Sequence, residues 1–358
     1  MARRPRTRLP GDISTLLWRG DGLLDLPTAR TFGVSPDRLR RLARSGLLVR
    51  LAEGVYASAE TMPLLDEWER HALMARAFVL SCHDAYATGW SAVINWGLPT
   101  LGRPPELPIV MRPKLASRGT TFSTYGRIVT AALPPHHRWQ RRGIRLVSQA
   151  WAAATVALNA PVAAALIVAD AVARREHDLA EAVRQMSRWP GVTRARWVAE
   201  HADPLAESPV ETLGRFAIIA GGLPRAVSNA WVGMERPEFR VDGLWPYHHA
   251  AHEADGSCKY NNRPDAAKVV AQEKEREWRL RRLGLDIVRY DFALAAYRRA
   301  DLIRRFHHLL RDNPPSTAPI RWWKHVPGVG PVEPRPGDWP SPYPVATILP
   351  PGWYDERR

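Results

Sequence analysis

Phe239-Arg240-Val241-Asp242-Gly243-Leu244-Trp245-Pro246, followed by His252-Glu253-Ala254-Asp255-Gly256-Ser257-Cys258-Lys259, constrains this chain more than any other stretch. Two short strands around a tight connection are predicted. Side chains alternate faces along a strand, so Phe239 and Val241 share one face while Arg240 and Asp242 share the other. On the second strand Glu253 and Asp255 lie together and Ala254 opposes them. A turn centred on Tyr247 and His248 sets Asp242 opposite Glu253, with Val241 opposite Ala254 on the apolar side. Opposed residues have Cβ atoms roughly 5 Å apart, near enough for two carboxylates to hold one hard divalent cation. Three acids on one face repel each other unless something positive sits between them, and a metal ion is the expected source. The plain alternative is a set of solvent-facing strand residues and an ordinary Asp-Gly turn.

The flanks supply an element order. Residues 209–220 are predicted to form a helix with Glu211 in its first turn, and 225–232 a strand. After the acidic hairpin, 265–283 is a helix rich in Ala, Glu, Lys and Arg and stopped by Gly284. Residues 285–290 form another strand and 294–310 a closing helix. This α-β-β-β-α-β-α order resembles the PD-(D/E)XK nuclease core, the restriction-endonuclease-like fold. More closely, Arg240-Val241-Asp242, Glu253-Ala254-Asp255-Gly256 and Arg282-Leu283-Gly284 after a Lys-rich helix resemble the very-short-patch-repair (Vsr)-like endonucleases. That resemblance implies a Mg2+ (or Mn2+) ion held by Asp242 and Glu253, with Glu211 joining them. The commonest family pattern is Glu-x-Lys, whereas Asp255 stands two residues after Glu253 here. The catalytic cation must then come from elsewhere, and Lys259 and Lys274 are the candidates, Lys259 being preferred because its reach does not depend on how the following helix docks. His248, His249, His252 and Cys258 do not show the regularly spaced pairs of a structural zinc site.

Charge and length fit a multi-domain nucleic-acid protein. The 358 residues allow two or three domains. A net charge of +15 favours polyanionic partners through counterion release, although an Arg-preferring genome yields the same surplus. Two cysteines exclude a disulfide scaffold and make a reducing cytoplasm the simplest home. Arg3, Arg4, Arg6 and Arg8 are followed by Pro10-Gly11-Asp12, so no secretory leader is expected. The longest apolar run, 160–169, ends at Asp170 and is too short to span a bilayer, so no membrane association is expected.

A second readable unit occupies residues 1–60. A short helix is predicted over 13–18, then a helix and tight turn over 26–34. Ser35 is an N-cap with Pro36 at the first helical position, opening a helix over 37–45 that Gly46 ends. Leu39 and Leu42 face inward; Arg38, Arg41 and Arg44 project outward. A hairpin follows, with Ala52-Glu53-Gly54 at its turn. The pattern is a winged helix-turn-helix whose second helix enters the DNA major groove. Phe32-Gly33-Val34-Ser35, Leu39-Arg40-Arg41-Leu42, Ser45-Gly46 and Gly54-Val55-Tyr56 resemble the N-terminal domain of AbiEi-type antitoxins. A winged helix used for protein contacts, its basic face merely solvated, is the alternative.

Residues 61–203 are expected to form a middle α/β region without assigned chemistry. It begins with helix over 67–95, has strands at 107–111, 120–125 and 143–147, and ends in Ala-rich helices over 150–186. Ser148-Gln149-Ala150-Trp151 stands where the antitoxin-like proteins tend to carry a Ser-Pro-x-Arg-Thr run. Residues 204–312 hold the nuclease-like domain. The tail, 313–358, is Pro-rich, and regular structure is not expected where proline removes donors and fixes φ; Trp322, Trp323, Trp339 and Trp353 suit an extended strap. The chain is thus expected to be an α/β multi-domain DNA-targeted, metal-dependent nuclease, RNA remaining a possible substrate. The rival expectation is a transcriptional repressor or antitoxin, partnered by a cognate toxin, whose nuclease-like domain is inactive. An interaction scaffold without nucleic acid is a third.

Overall fold

The computed structural model describes residues 8–114, 118–255 and 275–350. Contacts divide the chain into two compact units, 1–160 with 177–199 and 161–176 with 200–358. The expected boundary near residue 203 therefore differs from the observed one, because helix Val162–Ala173 groups with the second unit.

In the first unit, α1 (Gly11–Arg19), β1 (Leu23–Asp25), α2 (Leu26–Thr31) and α3 (Pro36–Arg44) precede a hairpin of β2 (Leu48–Ala52) and β3 (Val55–Ser58). The three strands order as β1-β3-β2. Local chemistry sets each boundary. Asp25 caps α2 by accepting from the Thr28 N–H at 2.9 Å, and Ser35 caps α3 by accepting from the Arg38 N–H at 3.3 Å. Gly54 turns the hairpin at φ +69, and a Cβ there would stand 2.9 Å from Leu26 Cδ1, so backbone and packing both require glycine. Ile13, Leu16, Leu24, Leu39 and Tyr56 are buried together beneath the helices. β1 has no counterpart in the sequence expectation, being too short for an alternating pattern.

The remainder of this unit is built on a six-stranded sheet of order β6-β7-β5-β4-β9-β8. The expected helix over 67–95 is broken into α4 (Glu67–Ser81) and α5 (Gly89–Trp96) by β4 (Tyr86–Ala87). The break comes from tertiary pairing: Tyr86 aligns with Met111 on β5 (Ile109–Pro113), and Ala87 with Leu146 on β9 (Ile144–Val147). β6 (Gly119–Ser123), β7 (Gly126–Ala131) and β8 (Arg138–Arg141) complete the sheet, and α6 (Gln149–Ala157) follows it. On α4, Leu73 and Ala77 pack against Leu23, Leu51 and Val55 of the winged-helix strands.

The second unit carries a sheet of order β13-β12-β11-β10-β14-β15. β10 (Val227–Val232), β11 (Phe239–Trp245) and β12 (Ala250–Asp255) run as an antiparallel meander. Residues 275–282 are helical, and β13 (Asp286–Asp291) then returns parallel to β12. Helix Pro209–Ala220 precedes these strands; helices Phe292–Tyr297 and Arg299–Asp312 follow them. The closing helix expected over 294–310 is interrupted at Arg298, whose φ of −129 and ψ of 41 leave the helical region. Trp245, His252, Tyr290 and Phe306 make an aromatic cluster with ring centroids 5.3 to 5.8 Å apart. A Cβ at Gly214 would run into the Tyr290 hydroxyl; its glycine is what lets helix Pro209–Ala220 approach the sheet.

Two features of this unit go beyond what the sequence alone indicated. Asp170, which ends the apolar run, is buried. Its oxygens meet Arg215 Nη2 at 2.8 Å, the Thr212 hydroxyl at 2.8 Å and the Asp203 N–H at 2.8 Å. That network binds helix Val162–Ala173 to helix Pro209–Ala220. The tail is not wholly irregular either: β14 (Trp322–Val326) pairs with β10, and β15 (Gly330–Val332) folds back on it. Residues 322–326 contain no proline, and Trp322 gains a buried site. Trp339 stacks edge-on against it at 5.5 Å. No helix among the described residues is long and apolar enough to cross a membrane.

Candidate nucleic-acid interface and carboxylate cluster

α3 separates its two kinds of side chain cleanly. Leu39 and Leu42 are buried in the winged-helix core, while Arg40, Arg41 and Arg44 are exposed. Asp37 in the first turn and Arg41 and Arg44 in the last both complement the helix dipole. The three arginines expected to reach outward do not share one fate. Arg38 forms a two-pronged ion pair with Asp12 of α1, at 2.5 and 2.9 Å. This bond holds the Asp12 carboxyl below its ordinary range. Arg40 is engaged by Asp37 at 3.0 Å. Among the described residues, Arg41 and Arg44 have no ion-pair or hydrogen-bond partner and remain as α3's free cations. Sequence inspection could not assign Arg38 inward, because Asp12 lies 26 residues earlier in the chain.

The acidic residues of the second unit draw near one another, with Glu211 and Glu253 both acting on the Asp242 carboxyl. Ser208 caps helix Pro209–Ala220 and places Glu211 in its first turn. Glu211 Oε2 accepts from the Glu207 N–H at 2.9 Å and from Asn229 Nδ2 at 3.0 Å. Asn229 sits in β10 at φ +50, a conformation asparagine tolerates better than most residues. On β11 the Asp242 carboxylate accepts from the Ala254 N–H at 2.7 Å. Burial, and then the nearby charges of Glu211 and Glu253, push the Asp242 carboxyl up to about 6 against the pull of that hydrogen bond.

The β11–β12 ladder pairs Gly243 with His252, and the same register brings Asp242 level with Glu253. Glu253, however, is committed elsewhere. It is only 5% exposed, with Oε1 2.6 Å from Arg276 Nη2 and Oε2 2.9 Å from Arg276 Nη1 and 2.8 Å from Arg289 Nη2. Arg289 is its register partner on β13, and it also lies 3.5 Å from Asp255. Arg276 further donates to the Arg240 carbonyl at 2.8 Å. The positive charge expected between these acids is therefore two guanidinium groups. Among the described residues, Glu211, Asp242 and Glu253 do not form a set of ligand atoms within 4.8 Å of one another. Both guanidinium groups hydrogen-bond to Glu253 Oε2, whereas Oε1 is buried beside Arg276 without a hydrogen-bond partner; as arranged, arginine occupies the space beside Glu253 that a divalent cation would need. Lys259 and Lys274 lie outside the described residues.

The histidines nearby are structural. His248 spans the carbonyls of Asn313 and Pro342 at 2.7 and 2.9 Å, and His249 meets the Ala318 carbonyl at 2.8 Å. Burial lowers the His252 pKa to about 3, so the ring is neutral beside Tyr290. Arg276 and Arg289 were missed from sequence as members of this cluster. The one available signal was Arg289 beside the apolar pair Ile287-Val288 in a strand paired with the acidic one.

Residues 12–59 match the family model described as a transcriptional regulator, the AbiEi antitoxin. The matched segment covers α1 through β3. No curated protein matches the chain. Among solved structures, the crystal structure of the RV2827C protein from Mycobacterium tuberculosis is similar at a TM-score of 0.36 and 17% identity, over 58% of this chain and 82% of that one.

Proposed function

We propose that this protein is a DNA-binding transcriptional regulator of the AbiEi antitoxin kind, acting with a cognate toxin. The observation that carries it is the family match over residues 12–59. Its helix α3 presents Arg41 and Arg44 unpaired toward solvent, as a helix entering a major groove requires. Contacts from these side chains to phosphate set position and affinity, and they release condensed counterions. In this assignment the region around Asp242 and Glu253 is a folded, non-catalytic core.

A metal-dependent nuclease is the second reading, favoured by the approach of Glu211, Asp242 and Glu253 and the raised pKa of Asp242. It requires Arg276 and Arg289 to release Glu253 so that Mg2+ or Mn2+ can bind. One experiment separates the two. The full chain is incubated with supercoiled plasmid, single strands and labelled duplex carrying its own upstream region, with Mg2+, Mn2+ or EDTA. A retarded duplex without cleavage under all three conditions is expected. Cleavage that requires the metal and is lost in Glu253→Gln would replace the regulator with the enzyme; absence of any duplex binding would remove the regulator.

A further inference from the structure

Three potential metal ligands meet in the first unit, far in sequence from the acidic hairpin. His136 and His137 end the short 3-10 turn Pro135–His137, and Glu181 projects from helix Leu179–Gln185. His137 Nε2 is 3.0 Å from Glu181 Oε2, and His136 Nε2 is 3.4 Å from Glu181 Oε1. All the ligand atoms lie within 4.8 Å of one another. Metal–ligand bonds of about 2.0–2.1 Å in a tetrahedron place ligand atoms roughly 3.4 Å apart, and the two histidine approaches to the Glu181 oxygens are near that spacing. Two imidazole nitrogens and one carboxylate oxygen are a donor set for zinc and similar first-row divalent ions, not for Mg2+.

Their surroundings prepare the site. The His137 side chain is only 5% exposed, and its Nδ1 lies 2.7 Å from the Ser148 hydroxyl. Ser148 is itself fixed as the N-cap of α6, accepting from the Trp151 N–H at 3.1 Å. Without an ion, Nε2–H can donate to Glu181; with an ion bound, Nδ1–H would donate to Ser148 and leave Nε2 unprotonated toward the ion, which is how an outer hydrogen bond sets a ligating tautomer. Asp178 caps the helix carrying Glu181 by accepting from its N–H at 2.7 Å. A simple His137–Glu181 hydrogen bond would explain a buried clip. It leaves His136 unexplained: its side chain is 60% exposed and free to solvate, yet it turns onto the same carboxylate.

We infer that His136, His137 and Glu181 form a binding site for a zinc-class divalent ion, with a fourth position open to solvent on the His136 side. The ion would tie the 135–137 turn to helix Leu179–Gln185. Sequence spacing concealed it, because Glu181 lies more than 40 residues beyond the two histidines.

The test uses the metal-stripped full chain, titrated with Zn2+ by calorimetry and melted with and without it, and with Co2+ as a visible-absorption probe. Wild type is expected to bind one Zn2+ at this site, to melt at higher temperature when loaded and to give a Co2+ band of low-coordinate character. His136→Ala and Glu181→Gln should each weaken Zn2+ binding about tenfold or more and abolish the melting shift. His136→Ala removes an exposed side chain, so its fold, checked by circular dichroism, should persist. No Zn2+ binding by wild type, or unchanged affinity and melting shift in His136→Ala, would overturn the site.

Discussion

The winged helix and the acidic sheet treat their charges in opposite ways. On α3 the cations closest to α1 and to the helix start are consumed internally, yet Arg41 and Arg44 are left in water at little cost. In the second unit, Glu253 and Asp170 are buried and have to be matched by arginines within the fold. Exposed charge left unpaired is available to a partner; buried charge is spent on holding the protein together. A list of charged residues in sequence does not distinguish the two, because burial is a property of the assembled fold.

The largest effect expected from this contrast lies at Asp170. Removing one member of a buried ion pair costs about 3–5 kcal/mol, since Arg215 is left without its main counter-charge. Asp170→Ala should therefore lower the denaturation midpoint of the second unit by that order, read by urea unfolding. A loss below ~1 kcal/mol would mean that the network is solvated in solution.

Asp242 offers a smaller effect with a definite pH signature. Its folded pKa, about 6, stands above the ordinary 3.8, so the folded protein holds the proton more tightly than the unfolded chain. The penalty for ionising it is absent below pH 4, grows as pH rises to 6 and is constant above. That rise is worth roughly 3 kcal/mol at most. Asp242→Asn keeps an acceptor for the Ala254 N–H and removes the charge. The variant should match wild type at pH 4 and be the more stable at pH 7, measured by chemical unfolding across that range. Equal stability at both pH values would place Asp242 in water.

Arg38 should give the smallest effect. Its pair with Asp12 is partly exposed, with side chains 32% and 49% accessible, and such pairs contribute about 0–1 kcal/mol. Arg38→Ala should cost no more than that in stability and should change duplex affinity far less than substitution of Arg41 or Arg44. A loss of affinity equal to theirs would mean that Arg38 leaves Asp12 to contact DNA.

How much of this could be read from the residues follows the same division. The winged helix was accessible because its instructions are local: Ser35-Pro36 starts α3, Gly46 ends it, and Gly54 makes the only turn its strands allow. The meander was accessible too, since alternation and a Tyr247-His248 turn are enough to predict the register that β11 and β12 adopt. Long-range pairing was not. Tyr86–Ala87 looks helical until β5 and β9 are beside it, and Trp322–Val326 becomes a strand only because β10 has a free edge. The candidate site divides likewise. The register of β11 and β12, continued by one pair, sets Asp242 level with Glu253, but Arg276 and Arg289, which decide what Glu253 does, come from 23 and 36 residues farther on.

The central claim is that the free arginines of α3 hold DNA. Its most direct test is the salt dependence of duplex binding by the full chain, measured by fluorescence anisotropy for wild type and for the Arg41→Ala/Arg44→Ala double variant. Each lost phosphate contact reduces the slope of log K against log salt by about one. The account predicts a slope shallower by about two and weaker binding at every salt concentration, with the fold unchanged by circular dichroism. Identical affinity and slope in the variant would contradict it.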